Sequence, residues 1–237
     1  MKEEKVFKYQ NLVLKALAGQ VDDFYLAGGT ALSLFYFQHR LSVDLDFFTP
    51  DFSLKRIKAL VEFLTAKLSK QITMVGQSLE EKKAKFAIYN IYFSQKDLLK
   101  IDFVEDFFEL IKQPKVVDGI KILSLEDIYL RKIHAAAGLV SSLDVIGRKK
   151  ILGGRIEAKD FCDLYFLSNT FISLAKFVDK YTDNNAKEGL INWFRTYDRM
   201  AMIEGILDLD IEKKVSYKDM EKHFSKEIGK IAESYIE

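Results

Sequence analysis

Of cysteine the 237 residues hold one, of tryptophan one, of proline two and of histidine three. The lone thiol, Cys162, has no partner for an internal disulfide, which fits a reducing cytoplasm. His39, His134 and His223 lack metal-ligand spacing, and no Ser-His-Asp or Cys-His grouping points to covalent catalysis. No apolar run approaches the ~18 residues that cross a bilayer. The opening Met1-Lys2-Glu3-Glu4-Lys5 runs into an amphipathic helix without the apolar core of a signal peptide. The sequence therefore predicts a cytoplasmic protein with no membrane partner. Neither sign of charge dominates: the formal net charge is +1. That excludes whole-surface attraction to a polyanion and leaves such a partner only a local patch.

What is present is ordinary globular material, 49% hydrophobic and 30% charged, enough for one large domain or two small ones. The stretch Phe24 to Thr49 organises it. Phe24-Tyr25-Leu26-Ala27 reads as a strand, Gly28-Gly29 as a turn, and Thr30 to Tyr36 as a short helix. Val43-Asp44-Leu45-Asp46-Phe47-Phe48 then alternates with the period of a strand. Val43, Leu45 and Phe47 are expected to face a core, with Asp44 and Asp46 together on the opposite face. Two adjacent carboxylates repel unless a cation neutralises them, which points to a divalent metal. The glycines admit an anion to the backbone, and the helix start offers N–H groups and a favourable dipole. A phosphate cradle beside an acid pair suits a nucleoside triphosphate. Taken singly, Gly-Gly is an ordinary turn and Asp-x-Asp a solvated strand face; their order in one window favours the functional reading.

Gly28-Gly29-Thr30-Ala31-Leu32 followed by His39-Arg40-x-Ser42-x-Asp44-x-Asp46-Phe47-Phe48 resembles the signature of the AbiEii/AbiGii-type toxin family, within the nucleotidyltransferase superfamily. Gln38 departs from the pattern, standing where relatives often carry Gly. The resemblance extends to three further segments. Leu98–Val104 is expected to be a strand with Leu99, Ile101 and Phe103 inward and Lys100 and Asp102 outward. Asp102, a mid-strand charge, matches the family's third metal-binding carboxylate. Ser124-Leu125-Glu126-Asp127 has capping-box form and opens a helix to about Ala137. On it Lys132 lies beside the apolar stripe and Arg131 points away; the family's helix lysine contacts nucleotide phosphates, the plain alternative being a snorkelling side chain. Arg155-x-x-x-Lys159-Asp160-x-x-Asp163 is similar to the fourth motif, where Asp160 would orient Lys132 or accept a proton from the incoming hydroxyl.

Elsewhere the pattern is structural. Residues 3–18 form a helix buried through Val6, Gln10, Val13, Leu14 and Leu17, and Ser53 caps a second over Leu54–Ser69. Ile72–Ser78 and Ala84–Phe93 read as strands, with Ser94–Asp97 a hairpin turn. Residues 141–155 read as a basic, glycine-containing loop, either a nucleic-acid or triphosphate contact or simply solvated. The remainder to Glu237 is helical.

The expected fold is α/β, a nucleotidyltransferase-type mixed sheet flanked by helices over 1–118, then a mainly helical domain over 119–237 that closes the cleft. The resemblance implies transfer of a nucleoside monophosphate from an NTP to an acceptor. Asp44, Asp46 and Asp102 would hold Mg²⁺ (or Mn²⁺), and Gly28, Gly29, Thr30 and Lys132 would bind the phosphates. It further implies a toxin with a cognate antitoxin and an RNA acceptor such as a tRNA end. Two rivals use the same residues: a housekeeping or small-molecule nucleotidyltransferase, and a non-catalytic nucleotide-binding module, for which Asp102 would be superfluous.

Overall fold

The computed structural model describes residues 3–81, 83–138, 140–143, 149–152 and 154–236. Its contacts divide the chain into two compact units, one of residues 1–35 and 41–124, the other of residues 36–40 and 125–237. The chain thus passes between the units three times.

The first unit is built on a seven-stranded mixed sheet. Its strands are β1 (Tyr25–Ala27), β2 (Leu45–Thr49), β3 (Gln71–Ser78), β4 (Phe86–Tyr92), β5 (Leu98–Glu105), β6 (Lys115–Val117) and β7 (Ile120–Ile122). They lie in the order β3-β4-β5-β2-β1-β7-β6. β2 runs antiparallel to β1 and parallel to β5, so the acidic strand occupies the middle of the sheet. Helix α1 (Glu3–Leu17) buries Val6, Gln10, Val13, Leu14 and Leu17, the stripe its spacing predicts. It packs on α3 (Leu54–Leu68), whose N-terminus Ser53 caps by accepting from the Arg56 amide. The sheet's inner face is aromatic: the Phe103 ring stacks on Phe47 and meets Phe24 and Tyr89 edge-on. Burying such large rings is the main driving force of this layer.

The β6–β7 hairpin is a structural addition to the sequence reading. Asp118 and Gly119 turn it with φ of 48° and 77°. Both central residues at positive φ make the two-residue turn that matches strand twist. β7 pairs with β1, so the hairpin that a boundary at 118/119 divides lies whole in the first unit. Val43 also departs from expectation: it is 46% exposed and precedes the strand, whereas Leu45 and Phe47 are fully buried.

The second unit is helical. It comprises α4 (Leu125–Ala137), α5 (Ala158–Thr170), α6 (Leu174–Tyr181), α7 (Asn184–Thr196), α8 (Arg199–Leu207) and α9 (Tyr217–Ile236). Phe161 on α5 sits at the centre of its core, against Trp193, Tyr197, Tyr217 and Phe224. Close helix contact needs small residues here. A side chain at Gly189 on α7 would collide with the Ala137 carbonyl at the end of α4. Where a loop was expected over 141–155, β8 (Val140–Leu143) and β9 (Lys149–Leu152) pair as an antiparallel hairpin. Gly147, Arg148 and Gly153 of that stretch lie outside the described residues. Among the described residues no helix is long and apolar enough to cross a membrane.

Candidate active site

The Gly28 turn and the acid pair meet in the sheet itself. Ala27 at the end of β1 pairs with Asp46 on β2, and Gly28 follows with φ of 68°. A Cβ at Gly28 would run into the Asp46 carboxylate. Glycine is required there twice over, by the left-handed backbone and by the approach of the acid. The helix α2 (Gly28–Leu32) begins at this turn without a side-chain cap and continues as one π-helical turn, Ser33–Phe37. Thr30 is fully buried. Its hydroxyl lies 2.9 Å from Ser42 Oγ and donates to the Asp44 carbonyl. That side chain fixes the loop before β2.

The third acid arrives through the parallel pairing of β2 with β5, in which Asp46 stands opposite Asp102. Their neighbour Lys100, on the same face of β5, places Nζ 2.9 Å from Asp102 Oδ2 and 3.3 Å from Asp44 Oδ2. Burial works to lower the Lys100 pKa; its hydrogen bond to Asp102 and the charges of Asp44, Asp102 and Asp46 outweigh this and raise it. All three acids are therefore grouped around one ammonium. Among the described residues no three such donors already converge as a ready-made metal cage. The donor set still suits a hard divalent cation: carboxylates only, with a cation already seated on two of them.

The other sequence-predicted residues belong to the helical unit. Lys132 Nζ lies 2.6 Å from Asp160 Oδ1 and 2.6 Å from Asp163 Oδ2. Burial alone would depress its pKa, but Asp163 and Asp160 raise it. Arg155 also binds Asp160, Nε to Oδ2 at 2.5 Å, and keeps half of its own side chain exposed. Burial opposes ionisation of Asp160, yet Lys132 and Arg155 lower its pKa. A carboxylate so held is a weak base and a good anchor.

Asp163 gathers more. It accepts from Arg40 in bidentate fashion, Nε to Oδ1 at 2.7 Å and Nη2 to Oδ2 at 2.9 Å. His39 Nε2 stands 2.8 Å from Oδ1; a carboxylate there only accepts, so Nε2 carries the proton. Arg40 and His39 are the signature's own pair, and the structure gives their reason: residues 36–40 are built into the helical unit. Gln38 in the same segment has φ of 49°, a left-handed backbone that favours glycine. Arg131 is a correction. Expected to point away into solvent, it is buried and donates to the Asp127 carbonyl and carboxylate. Helix α4 is covered on two sides, by α5 and α7, so a single apolar stripe underestimates its buried face. Lys100, Arg40 and Asp163 were absent from the predicted site. Each carried a local signal, Lys100 its position two residues before Asp102 on one strand face, Arg40 and Asp163 their places in the two quoted motifs, but none of these signals showed their partners.

A search of curated proteins gives no match. Among solved structures, JHP933 from Helicobacter pylori superposes with a TM-score of 0.56 at 18% identity, covering 99% of this chain and 92% of that one. A second solved structure, from H. pylori and described as a candidate nucleotidyltransferase, gives a TM-score of 0.56 at 17% identity, covering 100% of this chain and 96% of that one. At such identity the likeness is one of fold. Residues 12–235 match the family described as "Nucleotidyl transferase AbiEii toxin, Type IV TA system". The chain therefore belongs to the AbiEii nucleotidyl transferase toxins of type IV toxin–antitoxin systems.

Proposed function

We propose that this nucleotidyltransferase moves a nucleoside monophosphate from an NTP to a hydroxyl of an RNA acceptor, such as a tRNA end, in a Mg²⁺- or Mn²⁺-dependent reaction. The acceptor oxygen attacks the α-phosphorus, the bond to the β-bridging oxygen breaks, and pyrophosphate leaves. The observation that supports this most is the pairing of Asp46 with Asp102 across β2 and β5, with Asp44 one residue before β2. Asp44, Asp46 and Asp102 would hold the divalent ion, which supplies charge neutralisation at the attacking and leaving oxygens. Asp102 helps to take the acceptor's proton. Gly28, Gly29 and the Thr30 backbone bind the β- and γ-phosphates, while the Thr30 hydroxyl keeps Asp44 in place.

Lys132, held here by Asp160 and Asp163, offsets negative charge on the triphosphate, for which it has to leave one of its two carboxylates. Asp160, its pKa lowered, orients Lys132 in preference to acting as a base. The partners proposed are the NTP, the RNA and a cognate antitoxin, and the place of action is the cytoplasm.

Incubation with each labelled NTP, Mg²⁺ and total cellular RNA tests the reaction. Label should enter RNA with the wild type and not with Asp46→Asn. Label in protein alone would overturn the acceptor assignment, and label with the Asn variant would overturn the site.

A further inference from the structure

Lys100 sits where a metal would be needed. Its Nζ bonds Asp102 Oδ2 at 2.9 Å and Asp44 Oδ2 at 3.3 Å, and its partner across β4 is Asn90, which carries no charge. A central strand does not carry a lysine without a reason, because its solvation is partly lost; here only a third of the Lys100 side chain is exposed. The local reason is evident. Three carboxylates grouped on one sheet face repel one another, and Lys100 neutralises part of that charge. An ammonium is a mobile point charge on a flexible stem and makes no directional fork, so it leaves an oxygen more readily than a guanidinium does.

The geometry points to Lys100 as a displaceable counter-ion that holds Asp44 and Asp102 in place until a divalent cation takes over their oxygens. It rests on the assignment of these acids to the metal. The same two oxygens do not serve an ammonium and a divalent ion together, since the two cations repel at that distance. Metal binding therefore includes the release of Lys100, and the wild-type affinity is lowered by that exchange. Lysine at this position makes the site weak for the bare ion. It favours metal that arrives with the triphosphate, whose charge then meets the freed ammonium.

The test is calorimetric titration of Mn²⁺ into the full chain: wild type, Lys100→Met, Lys100→Gln and Asp46→Asn. Thermal melts in chelator establish that each variant is folded. Both Lys100 variants should bind Mn²⁺ at least tenfold more tightly than wild type and melt lower in chelator, with the loss recovered on adding metal. Amine acetylation read by mass spectrometry supplies a second measurement, in which Lys100 becomes more reactive when Mn²⁺ is added. Equal affinity in wild type and both Lys100 variants, or unchanged Lys100 acetylation, overturns the counter-ion role while leaving the metal site standing. Absence of binding in every protein, or undiminished binding in Asp46→Asn, overturns the metal site and the counter-ion role with it.

Discussion

Replacing Asp163 with Asn removes one charge and almost no volume, so it isolates what that charge holds. Asp163 is fully buried and serves Arg40, His39 and Lys132 at 2.6–2.9 Å. The side chains of Arg40 and Lys132 are themselves 5% and 8% exposed. The amide of Asn accepts through one oxygen and turns an NH₂ group toward a donor. Breaking a buried pair by removing one partner costs about 3–5 kcal/mol, because the other charge stays buried. Lys132 keeps Asp160 at 2.6 Å, which places the loss near the lower end, about 3 kcal/mol. For a chain of this length that corresponds to a melting temperature lower by roughly 6–12 °C.

The pH dependence gives the same charge a second signature. Burial disfavours the Asp163 carboxylate, but Arg40 and Lys132, with hydrogen bonds from His39 and Arg40, outweigh it and hold the pKa well below the usual carboxylate range. A depressed folded-state pKa contributes stability that is present above the unfolded value of about 3.9 and is lost as the pH falls through the folded value. The gap between wild type and Asp163→Asn should thus be constant from about pH 5 to 8 and narrow progressively as the pH falls below about 4 toward the folded value. Thermal melts by circular dichroism across that range measure it. The control is Asp23→Asn: Asp23 and its partner Arg56 are each 41% exposed, and losing that pair should cost under about 1 kcal/mol. A drop of less than about 2 °C at neutral pH, or a gap that does not narrow at low pH, would refute the reasoning.

Three further outcomes follow from single positions. Asp46→Asn removes one of three mutually repelling carboxylates, so transfer should fall by about a hundredfold or more while the melting temperature stays within about 2 °C of wild type. A labelled-NTP assay beside a thermal melt decides it, and an unfolded or fully active variant would return Asp46 to the scaffold. Gly28→Ala meets both the φ of 68° and the Asp46 carboxylate. It should lose about 1–2 kcal/mol from the backbone alone, together with transfer activity; retention of both would mean that the turn tolerates a side chain. Gln38→Gly relieves a left-handed backbone at φ of 49°. Set against the entropy glycine adds to the unfolded chain, it should gain up to about 1 kcal/mol in denaturant melts, and a clear loss would show that the Gln38 side chain is needed.

The parts of this protein legible in the sequence are those whose signal is local. The buried face of α1, the alternation of Leu45 and Phe47 about Asp46, and the inward Leu99, Ile101 and Phe103 all follow from the period of one element. Strands β6 and β7, three residues each, are too short to show alternation. Their only advertisement was Asp118-Gly119, a turn pair that reads as a hairpin once flanked by Val116-Val117 and Ile120. Lys100 was visible on the right strand face, but nothing in one strand tells which carboxylates the neighbouring strand brings. Arg40 and Asp163 are 123 positions apart, and no periodicity links them. Arg131 was misread because a helix packed on two sides hides residues that a single stripe assigns to solvent.

That long-range pair also explains why the signature is longer than its chemistry. The Gly28 turn and the Asp44–Asp46 acids both lie in the first unit, yet the residues joining them, 36–40, belong to the second. The segment is fixed there by Arg40 and His39 on Asp163, by the bridge of Arg40 with Ile211, and by the Glu212 amide donating to the His39 carbonyl. Two of the three crossings, after residues 35 and 40, therefore fall in the chain between the turn and the acid pair. A binding turn and an acid pair would need only a short loop between them. The spacing of turn and acids is set in the sheet, by Ala27 against Asp46 and by the Thr30 hydroxyl on the Asp44 carbonyl, so residues 36–40 answer to the core of the helical unit.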